Sequence, residues 1–123
     1  MIEPSYIYKA VLVSVHDGDT VTLDVDLGFH VTVRIAARLY GINAPELSTF
    51  EGKTARVHLS DLLGIHPGVP AAVPEPLTIH TFKDPGDKYG RWLAVLFNDS
   101  VGDVNQRMVT EGFAVAYDGG KKV

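Results

Sequence analysis

The chain has 123 residues, 46% of them apolar and 21% charged, a composition that fits one globular domain over residues 1–123 and excludes disorder. It contains no cysteine, which excludes a disulfide scaffold, a cysteine-ligated zinc ribbon and a thiol nucleophile. Its formal net charge of −4 excludes a diffuse basic surface, so any nucleic-acid contact has to rest on local cations or on a metal ion.

In chain order, residues 6–15 are rich in Tyr, Ile and Val and read as a first strand. His16-Asp17-Gly18-Asp19 is a hairpin signal, because Asp-Gly tolerates the positive φ of tight turns. Val21, Leu23, Val25 and Leu27 then alternate with Thr22, Asp24 and Asp26, the mark of a strand with one buried face. After a turn at Gly28-Phe29-His30, Val31, Val33, Ile35 and Ala37 alternate with Thr32, Arg34, Ala36 and Arg38 in a third strand. Pro45 breaks this run, since it lacks a donor and holds Ala44 extended. Ser48 and Glu51 have capping-box spacing ahead of a helix whose apolar stripe is Ala55, Leu59, Leu62 and Leu63, with Gly64 as its stop.

Residues 66–76 hold four prolines and form an irregular connector. Residues 77–82 and 92–97 read as two more strands. Asp103 caps a short helix over 104–111 that Gly112 ends, a short strand returns over 113–117, and residues 118–123 form a frayed tail. Three strands, a helix, two strands and a helix describe a mainly β fold with flanking helices. The expected architecture is a five-stranded Greek-key barrel of the OB type. No apolar run reaches the ~18 residues of a membrane span, and Met1-Ile2-Glu3-Pro4 is not the basic start of a signal peptide. An intracellular setting, cytoplasmic or phage-type, is therefore expected, although a secreted chain stripped of its leader would read the same.

Several common motifs fail. Gly52-Lys53-Thr54 resembles the end of a P-loop, but Leu47 stands where the first glycine belongs. Asp17-Gly18-Asp19 resembles an EF-hand start, but Thr22 replaces the invariant glycine. The five histidines have no metal-ligand spacing. Four polar pieces remain: Asp17-Gly18-Asp19-Thr20, Arg38 five residues before Asn43-Ala44-Pro45-Glu46, Asp87-Lys88-Tyr89-Gly90-Arg91, and Gly112-Phe113-Ala114 ahead of Tyr117.

With these pieces in this order, the sequence resembles the staphylococcal nuclease family from about Val15 to Tyr117. The resemblance implies an OB-fold barrel and a Ca²⁺-dependent phosphodiesterase, an endonuclease of the thermonuclease type that cuts DNA and RNA and leaves 3′-phosphate ends. It implies Arg38 and Arg91 as the catalytic arginines and Glu46 as general base. It implies Asp19, Asn43 and the Ala44 carbonyl as metal ligands, supported by Asp17, and Lys88, Tyr89 and Tyr117 as nucleotide contacts. Asn43 stands where the family has a second carboxylate, so the metal site is expected to have lost one negative charge. The competing expectation is an OB-type module that binds nucleic acid or protein with little or no turnover. Protein partners are not legible.

The residue types suit the chemistry. A phosphodiester repels an incoming water and gathers further negative charge in its transition state, which fixed cations stabilise. Arginine offers a planar fork that stays charged and grips two oxygens at once.

Overall fold

The computed structural model describes residues 2–65, 76–83 and 90–117. The expected connector, the loop holding Lys88 and Tyr89, and the expected tail lie outside the described residues. Ten elements follow in chain order: β1 (Ile7–Asp17), β2 (Thr20–Asp26), β3 (Thr32–Leu39), β4 (Ile42–Asn43), α1 (Phe50–Leu62), β5 (Leu77–Lys83), β6 (Trp92–Asn98), β7 (Gly102–Asp103), α2 (Val104–Thr110) and β8 (Val115–Ala116). Antiparallel ladders join β3 to β2, β2 to β1, β1 to β5 and β5 to β6. A parallel ladder between β3 and β6, with Arg38 opposite Leu93, closes these five strands into a barrel. The OB-type barrel expected from the element order is therefore present, with β7 on the edge of β6 and β4 paired separately with β8. Among the described residues no helix is long and apolar enough to cross a membrane.

The core follows the period-two pattern. Val21, Leu23 and Val25 of β2 are buried, as are Ala37 and Leu39 of β3, Leu77 and Ile79 of β5, and Ala94 and Leu96 of β6. The pattern runs past the core at one end. Leu27, Val31 and Val33, which alternate with the buried set in sequence, are exposed, because β2 and β3 extend beyond the sealed interior. The turn between them holds Gly28, Phe29 and His30 all at positive φ. For Phe29 and His30 that conformation costs about 1 kcal/mol or more each.

Helix α1 lies against β1 with Gly52, Ala55 and Leu59 buried. Its N-cap is Thr49 rather than the expected Ser48. The Thr49 hydroxyl accepts from the Gly52 amide at 2.9 Å and donates to the Glu46 carbonyl at 2.6 Å. It therefore both caps the helix and ties the preceding turn down, which Ser48 is not placed to do.

Helix α2 is capped by Asp103 as expected, through the Gln106 amide at 2.9 Å. Its buried Asn105 was not singled out by sequence. Asn105 accepts from the Leu96 amide at 3.1 Å and donates to the carbonyls of Tyr40 and Ala94, each at 2.9 Å. It stitches the chain leaving β3 to β6 just beyond the parallel ladder. We expect Asn105→Ala to lower unfolding stability in urea by about 3 kcal/mol, because backbone groups buried here lose their partners together.

Candidate functional site

The β1–β2 turn, the end of β3 and the Asn43–Glu46 segment meet at one rim. The Asp19 amide donates to Asp17 Oδ1 at 3.0 Å, and the Asp19 carbonyl accepts from the Leu39 amide at 2.7 Å. These bonds hold the turn against β3. The Asp19 side chain is nearly buried. Its Oδ2 accepts the Ala44 amide at 2.9 Å and its Oδ1 accepts the Thr20 hydroxyl at 3.2 Å. Arg38 Nη2 donates to Asn43 Oδ1 at 3.1 Å and stands 4.0 Å from Asp19 Oδ2. The Arg38 guanidinium carbon lies 5.0 Å from the centre of the Tyr117 ring, a cation–π distance. Tyr117 is itself fixed by its amide, which donates to the Gly41 carbonyl at 2.8 Å, next to the β4–β8 ladder.

Two glycines make this convergence possible. Gly18 has ordinary negative φ, contrary to the expectation that Asp-Gly is used here for a positive-φ turn. Its need is steric: a Cβ on Gly18 would stand 2.7 Å from the Ala44 Cβ and 2.8 Å from the Ala55 Cβ. A Cβ on Gly52 would collide with the Glu46 carbonyl. The site segment is thus clamped between the β1–β2 turn and α1. Sequence reasoning passed over Gly52 after the P-loop comparison failed. The available signal was a glycine inside a helix, which weakens that helix unless something approaches closely.

Burial is the main influence on Asp19 and raises its pKa above the usual aspartate value. The Ala44 amide draws it back down, Asp17 adds to the rise through its hydrogen bond and its charge, and Arg38 opposes it. The folded chain thus holds this proton more tightly than the unfolded chain does. Ionising Asp19 costs stability as pH climbs from the ordinary aspartate range through the raised value. A cation brought beside the carboxylate offsets that cost.

Beside this cluster lies an open cleft of about 230 Å³, lined by Asn43, Ala44, Glu46, Gly112, Phe113 and Val115 among others. Glu46 is exposed on its edge. Phe113 forms a wall held by stacking on His58, with ring centres 3.9 Å apart. His58 Nε2 also meets Glu111 Oε1 at 2.8 Å, which joins α1 to the end of α2 and keeps the Glu111 carboxyl below the usual range. Arg91 is partly buried one residue before β6, two positions from the Leu93 that pairs with Arg38. The structure therefore brings Asp17, Asp19, Arg38, Asn43, Ala44 and Tyr117 into one contacting group. Glu46 lines the neighbouring cleft, Arg91 precedes the start of β6 where that strand meets β3, and Lys88 and Tyr89 lie outside the described residues.

Among the described residues no three of His, Cys, Asp and Glu surround a common point. The donors that the resemblance assigns to a metal are the Asp19 carboxylate, the Asn43 amide oxygen and the Ala44 carbonyl; here the Asp19 oxygens accept from Ala44 and Thr20 and the Asn43 oxygen accepts from Arg38. Hard oxygen donors are what Ca²⁺ takes. With one formal charge, such a donor set would hold a cation only weakly.

No curated protein matches the chain. The family model described as staphylococcal nuclease homologue matches residues 36–122, which include the end of β3 with Arg38, the Asn43–Glu46 segment and Tyr117. Together with the closed barrel, this match shows that the chain belongs to the staphylococcal nuclease homologue family, with a nuclease-type or OB-fold nucleic-acid-binding role.

Proposed function

We propose that the chain is a Ca²⁺-dependent nuclease that hydrolyses phosphodiester bonds of DNA and RNA and leaves 3′-phosphate ends. The observation that carries this reading is the setting of Arg38, a largely enclosed guanidinium held by Asn43 and Tyr117 beside a buried carboxylate and a cleft. Arg38 donates to Asn43 and stands 4.0 Å from Asp19 Oδ2, and its planar fork of N–H donors suits an anion. Arg38 grips the phosphate and stabilises the charge that builds on its oxygens. Arg91 acts from the neighbouring strand in the same way. Glu46 accepts a proton from the attacking water, whose oxygen bonds to phosphorus as the P–O5′ bond breaks. Asp19, Asn43 and Ala44 would hold Ca²⁺, which when bound supplies Lewis-acid stabilisation of the phosphoryl oxygens. Asp17 keeps the Asp19 turn in place. Tyr117, with Lys88 and Tyr89, contacts the nucleotide.

One observation favours a second reading. Asn43 gives its side-chain oxygen to Arg38 and brings no charge, which suits a module that binds single strands without cutting them. A fluorogenic oligonucleotide assay with Ca²⁺, Mg²⁺ or chelator separates the two. We expect cleavage with Ca²⁺, its loss on chelation, 3′-phosphate ends, and a higher melting temperature when Ca²⁺ is added. Oligonucleotide binding by anisotropy with no cleavage under any ion supports the binding module and defeats the nuclease reading.

A further inference from the structure

A second concave surface lies at the far end of β2 from Asp19, roughly 20 Å away along seven residues of strand. There the inward-facing rows run out of the sealed core. Tyr6, Tyr8, Leu27, Val33, Ile35 and Trp92 line most of an apolar mouth of about 250 Å³ in the end of the barrel. A dry cavity of ~150 Å³ already accepts benzene, so this mouth has room for a phenyl ring.

The same end carries such a ring. Phe29 sits on the β2–β3 turn, two residues beyond Leu27, and is 97% exposed. Among the described residues the non-glycine positions with positive φ are Tyr6, Phe29 and His30. Tyr6 is on the rim of the mouth, and the other two form the adjacent turn. At Phe29 and His30 the hairpin itself sets these angles, since both are central residues of a tight turn closed by the Val31 amide donating to the Gly28 carbonyl at 2.9 Å. The turn therefore fixes the backbone but leaves the Phe29 ring almost wholly in solvent, held out as a rigid apolar knob.

We infer that two copies of this chain associate end to end, each placing Phe29 in the barrel mouth of the other. Knob and hole lie next to each other on one surface, so a two-fold axis between them satisfies both at once and closes the assembly at two. The exposed parts of Tyr6, Leu27, Phe29, Val31, Val33 and Trp92 amount to roughly 700 Å², on the scale of 150–250 Å² for a whole aromatic side chain. That approaches the ~800 Å² that each partner contributes to a standard interface, and it exceeds the patch typical of a monomer. On β2 the contact lies the seven-residue length of the strand from Asp19, while Trp92 brings its edge beside Arg91; the inference does not depend on what the Asp19 rim does.

Sedimentation equilibrium of the full chain over a dilution series tests it. The expected result is a monomer–dimer equilibrium. Phe29→Asn should raise the dissociation constant by roughly thirtyfold or more, the effect of removing a hot-spot aromatic. Asparagine accepts the left-handed conformation, so the melting temperature of the variant measured as a monomer should not fall. Val33→Asp, which puts a charge in the mouth, should weaken association as well. A wild-type chain that stays monomeric at ~100 µM, above the dissociation constant of a standard-size interface, overturns the inference. So does a dimer that Phe29→Asn leaves unchanged. A monomer whose mouth takes up an apolar dye assigns the surface to a small ligand and overturns it too.

Discussion

Arg38→Ala should lower kcat/KM for oligonucleotide cleavage by about 10²–10³-fold, the scale of deleting one preorganised donor to a developing anion. The size of the effect comes from the position. The Arg38 side chain is only 16% exposed, so its charge acts where water screens little. It is also the cation nearest Asp19 and the donor to Asn43. Its removal therefore leaves a buried carboxyl with less reason to ionise and an amide carbonyl without its partner. Arg38→Lys should recover part of the loss, since it restores the charge without the fork. Circular dichroism should show the barrel intact in both variants, because the core contacts of β3 come from Ala37 and Leu39. An Arg38→Ala chain that cleaves at the wild-type rate would place the chemistry elsewhere.

Gly52→Ala should destabilise the fold by about 3 kcal/mol in urea unfolding, at the upper end of overpacking costs. The sign is the informative part. Glycine to alanine inside a helix ordinarily gains up to ~1 kcal/mol. Here the added carbon meets the backbone of Glu46, which cannot rotate aside, and the Thr49 hydroxyl holds that carbonyl in place. Gly18→Ala should behave similarly but with a smaller loss, because its neighbours are the side-chain carbons of Ala44 and Ala55. Both variants should lose cleavage beyond what the fraction unfolded explains, since each displaces the segment that carries Asn43, Ala44 and Glu46.

Local patterns were legible because local physics decides them. The alternation in β2 showed its buried face, and Asp103 marked the start of α2. The parallel β3–β6 pairing was not legible, since Arg38 and Leu93 meet across nearly half of the chain and no local periodicity encodes that. Nor was Asn105 visible, because a buried amide is spelled like a solvated one until its partners are known. At the candidate site the motif order pointed to Asp19, Arg38 and Asn43, and these do meet. The reason for Gly18 was misread, because a sequence shows the absence of a side chain but not which atom stands in its place.

The short ladder between β4 and β8 has a consequence for biosynthesis. Strands β1 to β3 are neighbours in sequence and can pair as soon as they leave the ribosome, whereas Val115 and Tyr117 emerge well after Asn43 and Gly41, their partners. A nascent chain therefore gains its hairpins early but completes the rim only after the β8 segment has threaded back beside Asn43. A ribosome paused before residue 115 would display folded strands whose rim lacks the β4–β8 ladder and the Tyr117 contact with Arg38.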